Sequence, residues 1–127
     1  MNVQSRTITF TVNRKTAEAF DAILNIPPKM MPDATKSKDG WWSFTTSRGH
    51  AKLKFNENKP LGILDHLYID EESKWNVPMR VVSSGDESEI IITLIKPEEI
   101  TDEQFNERMT EIGQIFQNLK ELIEKPL

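Results

Sequence analysis

The stretch from Thr101 to Lys125 constrains the fold more than any other part of the chain. Phe105, Met109, Ile112, Phe116, Leu119 and Ile123 recur at steps of three and four residues, the period of one helix face. Thr101 and Gln104 stand at the spacing of a capping box, in which each side chain satisfies the other residue's backbone N–H. Glu98, Glu99, Asp102 and Glu103 put negative charge at the helix N-terminus, and Lys120 and Lys125 put positive charge near its end. Pro126 terminates the run. Gly113 inside it costs about 1 kcal/mol relative to alanine, so a packing reason is expected for it. At ~1.5 Å per residue the helix is roughly 36 Å long.

Almost everything before this helix reads as strand. Residues 5–12 alternate strictly, with Ile8, Phe10 and Val12 on one side and Thr7, Thr9 and Thr11 on the other. Asn13 is placed to cap a short helix over 14–24, whose Ala19, Phe20, Ile23 and Leu24 make one face and which Pro27 and Pro28 stop. Residues 26–32 set three prolines around Met30 and Met31, giving either a second short helix plugging the core edge or an adaptable wall over a cavity. Residues 41–47 and 50–57 form a hairpin turning at Arg48 and Gly49. Three more strands follow over 61–69, 75–82 and 88–96. Pro78 marks an edge or a bulge in the second of these. Residues 33–38 can supply a weak seventh strand.

Short turns between strands imply antiparallel pairing, and a helix segregated to one end implies an α+β fold. Six strands at ~4.8 Å make a sheet about 29 Å wide, whereas one helix is about 10–12 Å across. A flat sheet of that width cannot be covered, so the sheet must curl around the helix. A curved sheet and a cylinder leave space between them for large side chains or a guest. The chain of 127 residues is therefore read as one domain over 1–127: a curved antiparallel sheet of six or seven strands gripping one long C-terminal helix, with one or two short helices after the first strand.

Composition removes several kinds of chemistry. The absence of cysteine excludes disulfides, thiolate metal sites and cysteine nucleophiles, and two histidines make a poor metal set, so neither metal nor cofactor is expected. A net charge of -4 argues against nucleic-acid binding. No apolar run approaches a membrane span and residues 1–6 carry no secretory signal, so a cytoplasmic location is expected. There is no Walker loop, dinucleotide fingerprint, nucleophile elbow or HExxH.

The opening strand followed by the first helix TAEAFDAI, with the closing helix from Thr101 to Lys125, resembles the helix-grip (SRPBCC/START-like) superfamily. That group includes polyketide cyclase/dehydrase-like proteins, START lipid-transfer domains, birch-pollen-allergen-like proteins and Hsp90 ATPase-activator homologues. The resemblance covers nearly the whole chain through element order and spacing. It departs from the common pattern where residues 26–32 replace a tryptophan, and in the absence of a glycine-rich loop. It implies a cavity between helix and sheet for a small hydrophobic or amphipathic molecule.

Phe105, Met109, Ile112 and Phe116 are the helix residues placed to line it, and Trp42, Phe44, Trp75, Val77 and Met79 their counterparts on the sheet. The plainer reading is that each of these residues simply fills the core. Two alternatives compete with ligand binding: a cyclase/dehydratase-like enzyme using the same cavity, and an interaction module of the chaperone-activator type. No catalytic residue is assigned. His66 shares a strand face with Tyr68, but Asp65, Leu67 and Ile69 form the more apolar set and are expected to face inward, leaving His66 an ordinary surface histidine. Arg80 can anchor a carboxylate or form a surface ion pair. Asp70, Glu71 and Glu72 read as a solvated turn. The Trp41–Trp42 doublet sends one ring to each face, and the outward ring serves either a homodimer contact or a lysine stem.

Overall fold

The structure, a computed structural model, describes residues 4–125; Pro126 lies outside them. Strand β1 (Ser5–Val12) is followed by α1 (Thr16–Leu24) and by the single turn α2 (Pro27–Met30). Then come β2 (Thr35–Lys36), β3 (Trp42–Thr46), β4 (Gly49–Asn58), β5 (Ile63–Ile69), β6 (Lys74–Val77), β7 (Met79–Ser84), β8 (Glu87–Ile95) and the long helix α3 (Asp102–Glu124). All pairs are antiparallel in one curved sheet of order β1-β8-β7-β5-β4-β3-β2, with β6 continuing the line of β7 along β5. The weak strand over 33–38 is real but only two residues long, and it forms the sheet edge beside β3.

Pro78 separates β6 from β7 without being an edge or a bulge. The strand line lies between β5 and β8, and His66↔Val77 and Ile63↔Arg80 belong to one unbroken register, so no residue is inserted. Proline removes only its own donor: its carbonyl still accepts from the Thr93 N–H at 3.0 Å. The disturbance falls one residue later, where the Met79 N–H turns to the Asp65 carboxylate at 2.9 Å.

The core lies between the concave face of the sheet and α1 and α3. Val12, Leu64, Trp75, Val77, Met79, Val81, Ile90, Ile92 and Leu94 supply the sheet side, and Phe20, Ile23, Phe105, Met109, Leu119 and Ile123 the helix side. The alternation in β8 is complete: Ser88, Ile90, Ile92 and Leu94 are buried while their neighbours are not.

Both ends of α3 are fastened. The expected capping box forms, with Thr101 accepting from the Gln104 N–H and Gln104 from the Thr101 N–H. At the other end the sequence reading is corrected. Asn13 caps nothing; α1 begins at Thr16 with Lys15 in the cap position, and the Asn13 N–H donates to Glu124 at 2.8 Å. The neighbouring Arg14 donates to the carbonyls of Ile123, Glu124 and Lys125 at 3.2, 3.1 and 2.8 Å. It thereby satisfies the acceptors that every helix C-terminus leaves open. Gly113 has no packing reason: a Cβ built there would meet nothing within 4 Å.

Candidate functional site

The helix packs on the concave face without covering all of it, and Ile8 and Phe10 of β1 stay partly open. Phe105 stacks on Trp75 with ring centres 6.0 Å apart, and Phe116 meets Phe10 of β1 at 6.3 Å. On β3–β5, Trp42, Leu53, Phe55, His66 and Tyr68 stay partly open although their strands turn them inward. The middle of the helix matches them, since Ile112 and Phe116 are only partly buried and Ile115 is exposed. The inner face of β3–β5 and the middle of α3 therefore both keep half-open apolar surface, which makes a candidate groove between them.

A buried polar network closes the groove at the N-terminal half of α3. Arg108 is 7% exposed and its guanidinium lies 2.9 Å from Asp70, whose side chain is fully buried. It also reaches Glu72 at 3.1 Å and Ser73 Oγ at 3.3 Å, and lies 5.8 Å over the Trp75 ring. Asp70 accepts the backbone N–H groups of Glu72 and Ser73, both at 2.9 Å, and the Tyr68 hydroxyl at 3.1 Å. Trp75 Nε1 donates to Ser73 Oγ at 2.7 Å. Burial pushes the Asp70 carboxyl up, but Arg108 and the two N–H groups outweigh it and hold it below the usual carboxylate range. Burial, then the Asp70 charge, pushes the Tyr68 hydroxyl up to about 12. Arg48 from the β3–β4 hairpin extends the network to Glu111 at 2.8 Å and Glu72 at 3.3 Å. Asp70 is thus no part of a solvated acidic turn.

His66 faces inward, against the sequence reading. Its strand neighbour Leu64 is fully buried, and its ring meets Phe55 edge-on at 5.3 Å. Periodicity misled here because Asp65, Leu67 and Ile69 occupy the convex face, where Asp65 pairs with Arg80. Arg80 is accordingly a partly exposed ion pair on that face. Trp41 is the outward ring of the doublet and carries Lys52 Nζ 4.6 Å from its centre.

Two concavities lie elsewhere. A cleft of about 500 Å3 between α2 and the end of α3 is lined by Lys29, Met30, Asn118, Glu121, Leu122 and Lys125. A smaller one of about 100 Å3 lies beside Phe20, Gly62 and Val81. Neither is lined by Trp75 or Phe116, the residues expected to share one cavity. Trp75 packs at the N-terminal end of α3, where Phe105 and Arg108 occupy it, and Phe116 stands at the middle of the helix.

No family model matches the sequence, and neither does any curated protein. Solved structures do match over nearly the whole length. A protein from Cytophaga hutchinsonii aligns with a TM-score of 0.73 at 15% identity, covering 98% of this chain and 97% of that one. The Aha1 dimer from Colwellia psychrerythraea gives 0.73 at 12%, covering 95% and 96%. Ara h 8.0201 gives 0.68 at 14%, covering 97% and 96%. The chain has the helix-grip fold. Identities this low establish the architecture and leave function to the site.

Within this helix-grip frame the nine expected lining residues divide. Phe44, Trp75, Val77, Met79, Phe105 and Met109 are buried in the core, while Trp42, Ile112 and Phe116 are only partly buried. Sequence reasoning passed over Leu53, Phe55 and Arg108 as site residues, and set Tyr68 aside with His66 by turning both outward. Arg108 had a signal: it stands one residue before Met109 on the apolar stripe and three after Phe105. Among the described residues no group of three acidic or histidine side chains is placed to hold a metal, and no helix is long and apolar enough to cross a membrane.

Proposed function

We propose that the chain binds a small apolar or amphipathic molecule in the groove between α3 and the inner faces of β3–β5. The observation that carries this reading is the half-open state of inward-facing aromatic side chains. Trp42, Phe55 and Tyr68 on the sheet and Phe116 on the helix turn toward the core yet keep surface that no side chain covers. Leaving apolar surface in water costs about 25 cal/mol per Å2, so a guest that covers it is stabilised by its removal from solvent. Trp42, Ile112 and Phe116 contact the guest in this reading. Phe44, Trp75, Val77, Met79, Phe105 and Met109 form the packed bed behind it. Walls of this kind, mostly apolar with a few placed polar groups, suit small organic ligands.

Titration with 1-anilinonaphthalene-8-sulfonate, followed by its fluorescence and by energy transfer from tryptophan, tests the reading. Saturable binding that Phe116→Glu abolishes, with the thermal midpoint retained, is the expected result. Absence of saturable binding, or binding indifferent to Phe116→Glu, would overturn it.

A further inference from the structure

His66 is a polar group held at the wall of this groove with one nitrogen committed and the other free. By the register of β5 with β6 and β7, Leu64 stands opposite Met79. In an unbroken ladder its carbonyl would take the Met79 N–H. Beside Pro78 that N–H goes to Asp65 instead, and the Leu64 carbonyl takes the His66 ring, 3.0 Å from Nδ1. A carbonyl oxygen only accepts, so Nδ1 carries the proton. In the neutral imidazole this leaves Nε2 as a lone-pair acceptor. Burial favours that neutral form, more strongly than the Leu64 carbonyl and Asp65 favour the charged one. Among the described residues the one buried side-chain nitrogen or oxygen without a partner is Gln4 Oε1. Nε2 makes no hydrogen bond among the described residues and is not completely buried, on the face shared with Phe55 and Tyr68.

We infer that His66 Nε2 is the acceptor that selects, among apolar guests of the groove, those carrying a hydroxyl donor: aromatic alcohols of the phenol or naphthol class. Two features favour this class. Phe55 lies edge-on to the imidazole, and Leu64, Tyr68 and Val77 share its face, so a guest there meets a mostly apolar, partly aromatic wall that suits an aromatic body. The Tyr68 hydroxyl on this face already gives its proton to Asp70, so it has no donor left for the guest, and the guest must bring its own. The inference rests on the binding reading above and adds the chemistry of its polar anchor.

The test compares 2-naphthol with 2-methoxynaphthalene, which has the same ring system and no donor, by fluorescence titration at neutral pH. One neutral hydrogen bond gives 2-naphthol roughly a fivefold advantage. In His66→Leu that advantage disappears while the methyl ether still binds. Equal affinities in the parent protein, or an advantage that survives His66→Leu, would overturn the role of His66 and leave groove binding intact. Binding of neither probe would remove both. A second measurement does not depend on the variant folding: long-range 1H–15N spectra of the ligand-free protein should place His66 in the Nδ1–H form. A protonated Nε2 there would refute the inference outright.

Discussion

Replacing either partner of the Asp70–Arg108 pair tests how the polar network is built, because the two losses are unequal. Arg108→Met removes the charge and keeps much of the apolar stem against Trp75. Asp70 then retains the N–H groups of Glu72 and Ser73, the Ser73 hydroxyl and the Tyr68 hydroxyl. Removing one partner of a buried pair generally costs about 3–5 kcal/mol, and these remaining donors bring the expected loss down to about 2 kcal/mol. Asp70→Ala leaves Arg108 with Glu72 and Ser73 Oγ, which places its ionic cost near about 3 kcal/mol. It also strands the buried Ser73 N–H, worth about 1–3 kcal/mol more. Asp70→Ala should therefore be the worse variant by about 2–4 kcal/mol, a difference of roughly 8–16 °C in thermal midpoint for a chain of this size. Chemical denaturation of both variants provides the free energies. The folded Asp70 pKa is depressed, so its contribution is full above the unfolded value of about 3.9 and is lost as pH falls through the folded value. In Arg108→Met that loss begins at a higher pH than in the parent. An Arg108→Met variant as damaged as Asp70→Ala, or more so, would refute the idea that Asp70 organises its turn as well as its ion pair.

Three further outcomes are expected. Phe105→Ala should cost about 3–5 kcal/mol, as for a fully buried phenylalanine, and Phe116→Ala markedly less, because Phe116 borders the groove; equal losses by urea denaturation would contradict a half-open middle of α3. Tyr68 is the chain's one tyrosine, so absorbance at alkaline pH reads it alone. Ionisation should occur near 12 and not near 10, with the stability it contributes present below about pH 10 and lost as pH rises toward the folded value. Gly113→Ala should raise stability by up to about 1 kcal/mol, since the added methyl meets nothing; a loss in a thermal melt would reveal a constraint on the helix that its packing does not.

The helix-grip architecture was legible because it rests on patterns that survive without partners. The six-residue stripe and capping box of α3 are local, and the alternation in β1 and β8 is local. The width of the sheet against the width of one helix then dictates curvature. What failed depended on contacts distant in sequence. Asn13 carries the right side chain for a cap, yet the loop is tied to the end of α3 through Arg14, more than a hundred residues away. Asp65, Leu67 and Ile69 outscore Leu64, His66 and Tyr68 in hydrophobicity, yet the inner face belongs to the less apolar set. Its two polar rings bond to Leu64 and Asp70, so their burial is compensated, whereas Asp65 has Arg80 only on the convex side.

These long-range ties hold α3 at both of its ends. At its N-terminal half α3 is held by Phe105 on Trp75, by Arg108 on Asp70 and by Glu111 on Arg48. At its C-terminal end Arg14 holds three carbonyls, Glu124 takes the Asn13 N–H and Lys120 donates to the Thr11 carbonyl. Between these anchors stand Ile112, Gly113, Ile115 and Phe116, where Phe116 on Phe10 is the one aromatic contact to the sheet. A helix fixed at both ends spans the sheet as a bar and need not press on it at the middle. Stability can therefore reside in the anchors while the middle stays free to meet a guest. On this view, substitutions at the anchors change stability first, and substitutions at Ile112 and Phe116 change binding first.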